Sequence, residues 1–312
     1  MNNDNPIVSV IMATYNRGNF IGETLDSILC QSYTNWECLI IDDGGTDNTK
    51  EILLPYLLKD RRISYYERSI DHKKGLPGCR NQGLELAKGD YIIFFDDDDI
   101  VHPYNLKICT EVFESNKIDF CRYLRKTFIG DFNINFETNL DYKISTLNIN
   151  DLEAIVAGHI PFNSCQVMWK KECFIRDKFN ESLMYAEEWE LYSRILSRGK
   201  TGISIDKVLF YGRKHPNSNT GEFNSNDPVR RISYLRANKL VINNLSKMEL
   251  LTPTLVQYFI RKGFLLNEIS IVEEVLRSSN AGIFNRIKYL GGFKIYPVLK
   301  PFFKLKAKLI KS

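Results

Sequence analysis

Residues 91–99 read Tyr-Ile-Ile-Phe-Phe-Asp-Asp-Asp-Asp, so five residues that favour a buried strand run directly into four consecutive carboxylates. Four like charges in a row repel one another, and a folded chain tolerates them at a strand end only where something offsets the repulsion. A hard divalent cation held by carboxylate oxygens, with a phosphate on its far side, would do so. A solvated acidic turn is the ordinary alternative. The acidic run taken alone leaves both interpretations open.

Strand-like and helical stretches alternate on the amino-terminal side of this run. The β-rich stretches are residues 7–13, 37–41 and 63–66, and the helical ones are residues 19–32, 47–57 and 76–88. This alternation predicts βαβ units and a mostly parallel central sheet flanked by helices. Ligands bind such sheets at the carboxyl ends of the strands. We therefore expect Thr14-Tyr15, Asp42-Asp43 and Asp96–Asp99 to converge on one edge.

The rest of the chain differs in composition from this first part. Past residue 117 the pattern is mixed, with a well-marked helix at residues 187–198, and from residue 228 onward it is helical. Residues 1–213 carry 25 Lys/Arg and 32 Asp/Glu, whereas residues 214–312 carry 17 and 6. An acidic body with a basic tail predicts a catalytic domain followed by a segment that seeks an anionic surface.

The cysteines and the apolar segments limit the class of protein. Seven cysteines are scattered singly and form no C-x-x-C pair. We therefore expect reduced thiols in a cytoplasmic protein, without a disulfide framework or a zinc site. The first ten residues show no basic segment followed by an apolar one, and no run of 18 apolar residues follows. The sequence thus predicts neither a signal peptide nor a transmembrane helix.

Five ordered motifs resemble the family 2 glycosyltransferases, which are inverting enzymes with the nucleotide-sugar-binding GT-A fold. The motifs are VSVIMATYN at 8–16, IIDDGGTD at 40–47, CRNQGL at 79–84, GDYIIFFDDDD at 89–99 and EEWELYSR at 187–194. The resemblance covers roughly residues 5–220. It implies a GT-A catalytic domain over residues 1–220 and a helical C-terminal extension over residues 221–312. A dehydrogenase is disfavoured because no G-x-G-x-x-G follows the first strand.

The resemblance also implies a binding site for a UDP-sugar donor. Its members in this chain are Thr14, Tyr15, Asn16, Arg17, Asp42, Asp43, Arg80, Asn81, Asp96 and Asp97. The Tyr15 ring can stack on a flat nucleobase, and Asp43 resembles the carboxylate that reads the uracil N3–H. Asp42 has the alternative role of holding the turn. Arg80 and Asn81 could fix the base or the loops around it, and the alternative for Arg80 is an ion pair with a structural carboxylate.

The acidic run contains a D-x-D pair, Asp96 and Asp98. Alternate residues of an extended segment project to the same side, so one ion could engage both. By resemblance, Asp98 is the direct ligand to Mn²⁺ or Mg²⁺, and Asp96 or Asp97 reaches the ribose or a metal-bound water. His215 resembles the histidine of the family's late loop and is a candidate further metal ligand. A loop histidine without a ligand role is the alternative.

Glu188 is the candidate catalytic base. An inverting transfer needs a carboxylate opposite the leaving diphosphate, to take the proton of the attacking acceptor hydroxyl. The family motif normally has Asp just before the Trp, whereas Glu188 stands there, preceded by Glu187. The extra methylene displaces the carboxylate, so Glu187 is a second candidate. Acids in a first helical turn also have a purely structural explanation through the helix dipole.

Residues 286–312 form a basic tail with eight Lys/Arg and no acid, interleaved with aromatic and aliphatic residues. This composition favours the surface of an anionic membrane. Pro297 and Pro301 predict that the tail is broken into short helical pieces. Nucleic acid is not expected as a partner, because the front half offers no matching basic groove. The resemblance suggests a saccharide acceptor linked to polyprenyl diphosphate, reached by a protein peripheral on the inner face of the cell membrane.

Two other functions stay open from the sequence. A sugar nucleotidyltransferase would use a similar sheet and Mg²⁺, but it predicts a glycine-rich, lysine-bearing loop after the first strand. Residues 14–18 hold one glycine and no lysine. A nucleotide-binding scaffold without turnover is the other alternative, and the replacement of the usual Asp by Glu188 is its only support. The donor sugar, the acceptor and the oligomeric state do not follow from the sequence.

Overall fold

The computed structural model describes residues 8–215 and 218–309, and at residues 297 and 299–309 it describes the backbone only. Residues 310–312, the end of the predicted membrane-binding tail, lie outside the described residues. The strands within this part are β1 (Val8–Thr14), β2 (Trp36–Asp42), β3 (Ile63–Glu67), β4 (Tyr91–Phe94), β5 (Ile100–Val101), β6 (Phe120–Phe128), β7 (Ile144–Leu147), β8 (Val167–Lys170) and β9 (Gly202–Arg213).

Helices follow most of the strands and make up the C-terminal part. They are α1 (Ile21–Leu29), α2 (Thr49–Lys59), α3 (Leu76–Leu86), α4 (Asn105–Ser115), α5 (Leu152–Val156), α6 (Glu187–Leu196), α7 (Asn219–Asn224), α8 (Pro228–Lys247), α9 (Pro253–Leu266), α10 (Ile269–Ser278) and α11 (Ile283–Leu309).

The strands form one mixed sheet in the order β3-β2-β1-β4-β8-β6-β9-β5, with β7 paired to β9. Strands β1 to β4 are parallel to their neighbours among themselves, and Thr14 of β1 lies opposite Asp42 of β2. Strand β8 joins antiparallel to β4 and to β6, whereas β6 and β9 pair in parallel. The predicted α/β fold is confirmed, and the parallel half of its sheet lies where the alternation of strands and helices placed it.

Strands β1, β2 and β4 are mostly hydrophobic and almost fully buried, as expected where helices cover both faces of a parallel sheet. Every residue of β2 is buried. Val10, Met12, Ile40 and Ile93 are inaccessible to solvent in the core between the sheet and the helices. Such strands leave polar groups only at their ends. The carboxyl ends of β1, β2 and β4 are therefore the places where this domain can present chemistry.

The basic tail is a single helix in the structure. The sequence predicts short pieces broken at Pro297 and Pro301, whereas α11 runs from Ile283 to Leu309. That prediction is wrong. A proline within a helix costs about 3 kcal/mol, but it removes only its own N–H donor, so the favourable residues around it can sustain the helix. No helix in the described part of the chain has the length and apolar character needed to cross a membrane.

The chain divides into two compact units, Met1–Tyr234 and Leu235–Ser312. The division falls within α8, fourteen residues beyond the boundary that the sequence predicts. The first unit contains the whole sheet. The second contains α9, α10 and α11, and within it Phe264 of α9 packs edge-on against Phe293 and Tyr296 of α11.

Candidate active site

The loops that follow β1 and β2 are tied together by Asn16. Its Oδ1 accepts hydrogen bonds from the backbone N–H of Thr46 (2.7 Å) and of Asp47 (3.2 Å). The backbone of Asn16 is left-handed, with φ 53°, a conformation that asparagine tolerates better than most residues. The N–H of Arg17 donates to Thr49 Oγ1 at 2.9 Å. Asn16 thus shapes the edge of the site.

Tyr15 is the exposed member of the first loop. Its side chain is 44% exposed, and the Nζ atom of Lys74 lies 4.8 Å from its ring centroid. Thr14, by contrast, is buried at the end of β1, and its carbonyl accepts from the N–H of Asp43 at 2.9 Å. The Tyr15 ring is therefore available to a ligand, whereas the backbone of Thr14 holds Asp43 in place.

Asp42 and Asp43 have different neighbours. Asp42 Oδ1 accepts from the N–H of Gly44 (3.0 Å) and of Gly45 (2.7 Å), and its Oδ2 accepts from the hydroxyl of Tyr65 (2.8 Å). These bonds fit the turn-holding role that the sequence left open for Asp42. Asp43 instead contacts the segment that leads into α3.

Asp43 is clamped by the loop that leads into α3. Its Oδ1 accepts from Arg68 Nε at 2.5 Å, and its Oδ2 accepts from the N–H of Gly75 at 2.9 Å. Gly75 has φ 123°, which L side chains rarely adopt, so a glycine is required at this point. The Cys79 thiol also hydrogen-bonds the Asp43 carboxylate, which is therefore held by three neighbours. Arg68 was not among the predicted site residues, and no motif marks it.

The four aspartates after β4 have different partners. The strand ends at Phe94, and residues 97 and 98 form a turn. Asp96 Oδ1 accepts from Arg80 Nη2 at 3.0 Å, whereas Asp98 Oδ2 lies 2.6 Å from His215 Nε2. The acidic run is not the extended segment that the sequence argument assumed, because the chain turns at residues 97 and 98. The pairing of Asp98 with His215 brings two of the predicted metal ligands together.

The same turn buries the two remaining aspartates. Arg17 Nε lies 3.4 Å from Asp97 Oδ1, and Asp99 Oδ1 accepts from the backbone N–H of Arg213 at 2.7 Å. Burial, and then the negative charge of Asp98, raise the pKa of Asp97 to about 8. The same two causes, in the same order, raise the pKa of Asp99 well above its usual range. Both carboxyls are therefore harder to ionise in the folded protein than a free aspartic acid.

A second group of potential ligand atoms combines two aspartates of this run with a cysteine. One ligand atom each from Asp96, Asp99 and Cys165 lies within 4.8 Å of the others. Cys165 stands just before β8, about seventy residues further along the chain. Neither it nor its neighbour Ser164, whose Oγ accepts from Arg80 Nη2 at 3.1 Å, lies in any of the motifs, and sequence reasoning missed both.

Arg80 connects the acidic run to the start of α6. Its side chain is 3% exposed, and its Nη1 lies 3.3 Å from Glu187 Oε1 while its Nη2 reaches Asp96. Burial opposes the charge of Arg80, but Asp96 and Glu187 outweigh this effect and raise its pKa. Arg80 therefore contacts carboxylates, as the alternative that the sequence left open for it requires. The contact between Arg80 Nη1 and Glu187 Oε1 joins residues 107 apart in the sequence.

Glu187 and Glu188 occupy different environments at the start of α6. Glu187 is buried, and burial followed by the charge of Glu188 raises its pKa to about 8, although Arg80 acts in the opposite sense. Glu188 is half-buried, and among the described residues its carboxylate makes no hydrogen bond or ion pair. Near neutral pH Glu187 therefore tends to keep its proton, whereas Glu188 is the carboxylate available to a substrate.

Asn81 and Arg213 are engaged by the protein itself. The amide of Asn81 exchanges two hydrogen bonds with the backbone of Phe179, and it also donates to Glu181 at 2.8 Å. Arg213 donates to the carbonyl of Asp98 at 2.9 Å and pairs with Glu23. Both side chains thus fix loops around the site.

The first 170 residues match the protein-family model described as Glycosyl transferase family 2, over residues 9–170 and thus just over half of the chain. Glycosyltransferase GlyG of Streptococcus pneumoniae is 28% identical over 217 residues, which cover 67% of this chain and 71% of that protein. An uncharacterized glycosyltransferase of Rickettsia felis is 32% identical over 226 residues, 68% of this chain and 34% of that one. The chain thus spans about a third of the length of that second relative.

A further relative carries a more specific name. The UDP-Glc:alpha-D-GlcNAc-diphosphoundecaprenol beta-1,3-glucosyltransferase WfgD of Escherichia coli is 37% identical over 117 residues, which cover 38% of this chain and 45% of that protein.

Two solved structures are similar in fold. TarS 1–349 of S. aureus in complex with UDP-GlcNAc matches with a TM-score of 0.64 at 18% identity, over 92% of this chain and 80% of that one. The mannosyltransferase PcManGT of Pyrobaculum calidifontis, in complex with GDP-Man and Mn²⁺, matches with a TM-score of 0.57 at 15% identity, over 97% and 84%. The mixed sheet with flanking helices and its site at the strand ends thus have the GT-A architecture. With the family match over residues 9–170, they establish that this chain belongs to glycosyltransferase family 2 and is a transferase enzyme.

Proposed function

We propose that the protein transfers a sugar, with inversion at the anomeric carbon, from a UDP-sugar to a hydroxyl of a saccharide acceptor carried on a polyprenyl diphosphate. The family match supports glycosyl transfer in polysaccharide synthesis. The name of WfgD supports a lipid-linked acceptor, and the UDP-GlcNAc bound by TarS supports a UDP-sugar donor.

The arrangement of Arg80 between two sets of carboxylates carries this proposal. Arg80 binds Asp96 of the acidic run with one nitrogen and Glu187 of α6 with the other. The acidic run, which suits a metal and a diphosphate, and the carboxylates of α6, which suit a base, are therefore held at a fixed separation. An inverting transferase needs both, one on each side of the anomeric carbon.

Glu188 is the base in this proposal, and Glu187 positions Arg80. The Glu188 carboxylate takes the proton of the acceptor hydroxyl, whose oxygen forms a bond to the anomeric carbon. The bond from that carbon to the diphosphate oxygen breaks, and UDP leaves with the electron pair. A raised pKa keeps Glu187 largely protonated near neutral pH, which favours Glu188, half-buried and without an ion pair among the described residues, for this role.

The donor set of the acidic run fits a divalent cation. Its carboxylates are hard oxygen ligands that suit Mn²⁺ or Mg²⁺, and an imidazole adjoins one of them. The raised pKa of Asp97 and of Asp99 indicates excess negative charge that a bound cation would relieve. Asp98, Asp96 and His215 are the residues proposed to hold it. When bound, such a cation neutralises the charge that develops on the departing diphosphate.

The proposed nucleotide subsite lies at the ends of β1 and β2. The exposed ring of Tyr15 offers a flat apolar surface for the base. Asp43 is the proposed acceptor for a donor such as the uracil N3–H, while Arg68 and Gly75 hold the carboxylate in place. Arg17, which follows the first loop, lies 3.4 Å from Asp97 and 4.0 Å from Asp98, one of the proposed metal ligands.

Helix α11 is the proposed membrane contact. Among its described side chains, Ile283 (64%), Phe284 (85%), Ile287 (64%), Ile295 (54%) and Val298 (68%) are strongly exposed. At 100° per residue these five positions fall within an arc of about 120°, and Phe293 and Tyr296, which pack on α9, lie on the opposite side. An apolar stripe on a basic helix without acids suits an anionic leaflet. It supports the proposal that the enzyme acts peripherally at the cytoplasmic face, near a lipid-linked acceptor.

The experiment that tests the proposed function is UDP release from a panel of UDP-sugars in the presence of Mn²⁺. We expect release from one donor, loss of release on addition of EDTA, and loss in Glu188→Gln at unchanged UDP affinity. Tight UDP binding without release from any donor, even with membrane extract as the acceptor source, would contradict the proposal.

A further inference from the structure

Four aromatic rings that no step above uses lie together beside the candidate base. The ring cluster consists of Tyr185, Trp189, Phe223 and Tyr234. Tyr185 and Phe223 are stacked, with centroids 4.5 Å apart and planes 10° apart. Tyr234 meets Phe223 edge-on at 5.0 Å and Tyr185 at 5.9 Å, and the Trp189 ring lies 6.4 Å from that of Tyr234.

The segment that carries Tyr185 is fixed by α8 on its backbone. The N–H groups of Met184 and Tyr185 donate to Ser233 Oγ at 2.8 and 2.9 Å, and the hydroxyl donates in turn to the carbonyl of Tyr185 at 2.9 Å. Arg230 donates to the carbonyl of Met184 and pairs with Glu222 of α7 at 2.8 Å. The rings of the cluster are therefore presented by a rigid frame, which lowers the cost of ordering them around a ligand.

The ring cluster flanks Glu188 on both sides along the chain. Trp189 follows Glu188 in the first turn of α6, and Tyr185 precedes it by three residues. Burial, and then the charge of the Glu188 carboxylate, raise the pKa of Tyr185, so the phenol and the carboxylate are close in space. A ligand that rests on these rings would hold its polar groups within reach of Glu188.

The exposure of the rings distinguishes them from core aromatics. All four members of the ring cluster are half-buried, whereas Trp36 and Trp169 are 1% and 0% exposed. A pyranose ring has an apolar face of C–H groups and a rim of hydroxyls. Half-buried aromatic faces next to an available carboxylate match both features, the apolar face by contact and the hydroxyls by hydrogen bonding.

We propose that the ring cluster is the acceptor subsite, on which a sugar ring of the acceptor stacks while its reacting hydroxyl faces Glu188. This inference rests on the proposed function and adds the surface that selects the acceptor. Phe223, on a short helix remote in sequence from the five motifs, becomes a specificity-determining residue for the reaction.

Tryptophan fluorescence offers a direct test. The chain has three tryptophans, and since Trp36 and Trp169 are inaccessible, quenching by acrylamide reports on Trp189. The probes are the methyl glycosides of glucose, galactose, N-acetylglucosamine and rhamnose. We expect at least one of them to protect Trp189 from quenching, with a saturable dependence on its concentration. We expect Phe223→Leu to raise the concentration needed for this protection at least tenfold. Tyr91→Leu, which opens a comparable stacked pair with Phe113 at the far end of β4, should leave protection unchanged.

Failure of protection by every glycoside, or protection that is equally strong in Phe223→Leu, would overturn the acceptor subsite. Hydrolysis of the UDP-sugar, with water as the acceptor, tests the proposed function separately from the acceptor subsite. This reaction needs the donor site and does not need the ring cluster. Hydrolysis without protection would refute the subsite alone. Protection without UDP release from any donor would support the saccharide site and refute the proposed transfer.

Discussion

The Nη1 atom of Arg80 lies 3.3 Å from Oε1 of Glu187, and both side chains are almost completely removed from solvent. Breaking a buried pair of this kind leaves a polar group without a partner. Because the other guanidinium nitrogen binds Asp96 and Ser164, the pair also sets where α6 begins relative to the acidic run. Arg80 is therefore a positioning residue, and the effects of changing it should appear in turnover.

Arg80→Met should lower kcat by about 10²-fold, since a displacement of the catalytic groups of about 1 Å has that effect. Arg80→Lys should not restore the rate, because an ammonium cannot form the forked contacts of a guanidinium. UDP-release kinetics would measure both. Arg62→Met is the matched control. Arg62 is outside the site and pairs with Asp60 at a distance of 2.6 Å, so the kcat of this variant should be unchanged. A Lys variant with full turnover would contradict the role.

Glu187 should make the stability of the fold depend on pH. Its pKa is raised from 4.5 to about 8, so the folded state favours the protonated acid. The stability that this contributes is complete below pH 4.5 and is lost as the pH rises toward 8. Each pKa unit corresponds to about 1.36 kcal/mol. Between pH 5 and 8, the free energy of unfolding of Glu187→Gln should therefore rise relative to that of the wild type by on the order of 3 kcal/mol. Urea unfolding at these two pH values measures the change, and parallel curves would disprove it.

The two adjacent glutamates should differ sharply as catalysts. Glu188→Gln removes the proposed base and should lower kcat by about 10²- to 10⁴-fold with little change in the KM of the donor. Glu187→Gln should keep more activity, because a neutral side chain there resembles the protonated acid. Glu188→Asp restores the residue type that the family motif usually has, and it should keep measurable turnover. A greater loss in Glu187→Gln than in Glu188→Gln would reverse the assignment.

The sequence predicts the location of the site better than its internal contacts. Convergence of Tyr15, Asp43 and the acidic run follows from strand order alone, because parallel strands present their carboxyl ends at one edge. The turn at residues 97 and 98 could not be predicted from the sequence, since four consecutive aspartates are compatible with an extended segment and with a turn alike. Contacts such as Arg80 with Ser164 join segments 84 residues apart, and only the packing of β8 beside β4 brings them together.

The proposed metal dependence can be assigned to Asp98 by substitution. Asp98→Asn removes a charged ligand next to His215 and should raise the Mn²⁺ concentration for half-maximal activity at least tenfold. His215→Ala should act in the same direction and more weakly, since a nitrogen is the softer ligand for this ion. Titration of activity with Mn²⁺ after treatment with EDTA gives both values. Asp60→Asn serves as the control, and an equal shift in that variant would exclude a specific role for Asp98.

Membrane binding by α11 should depend on its exposed apolar stripe and on lipid charge. Phe284→Asp combined with Ile287→Asp places two charges where the helix would enter the headgroup region, and it should abolish sedimentation with vesicles rich in phosphatidylglycerol. Leu58→Asp is the control, because Leu58 is 88% exposed on α2, outside the stripe. Salt should weaken binding, since the attraction between the basic helix and the lipid decays within a Debye length of about 8 Å at 0.15 M. Equal sedimentation with phosphatidylcholine vesicles at high salt would show that charge has no part, and unchanged binding by the double variant would show that the stripe is not the contact.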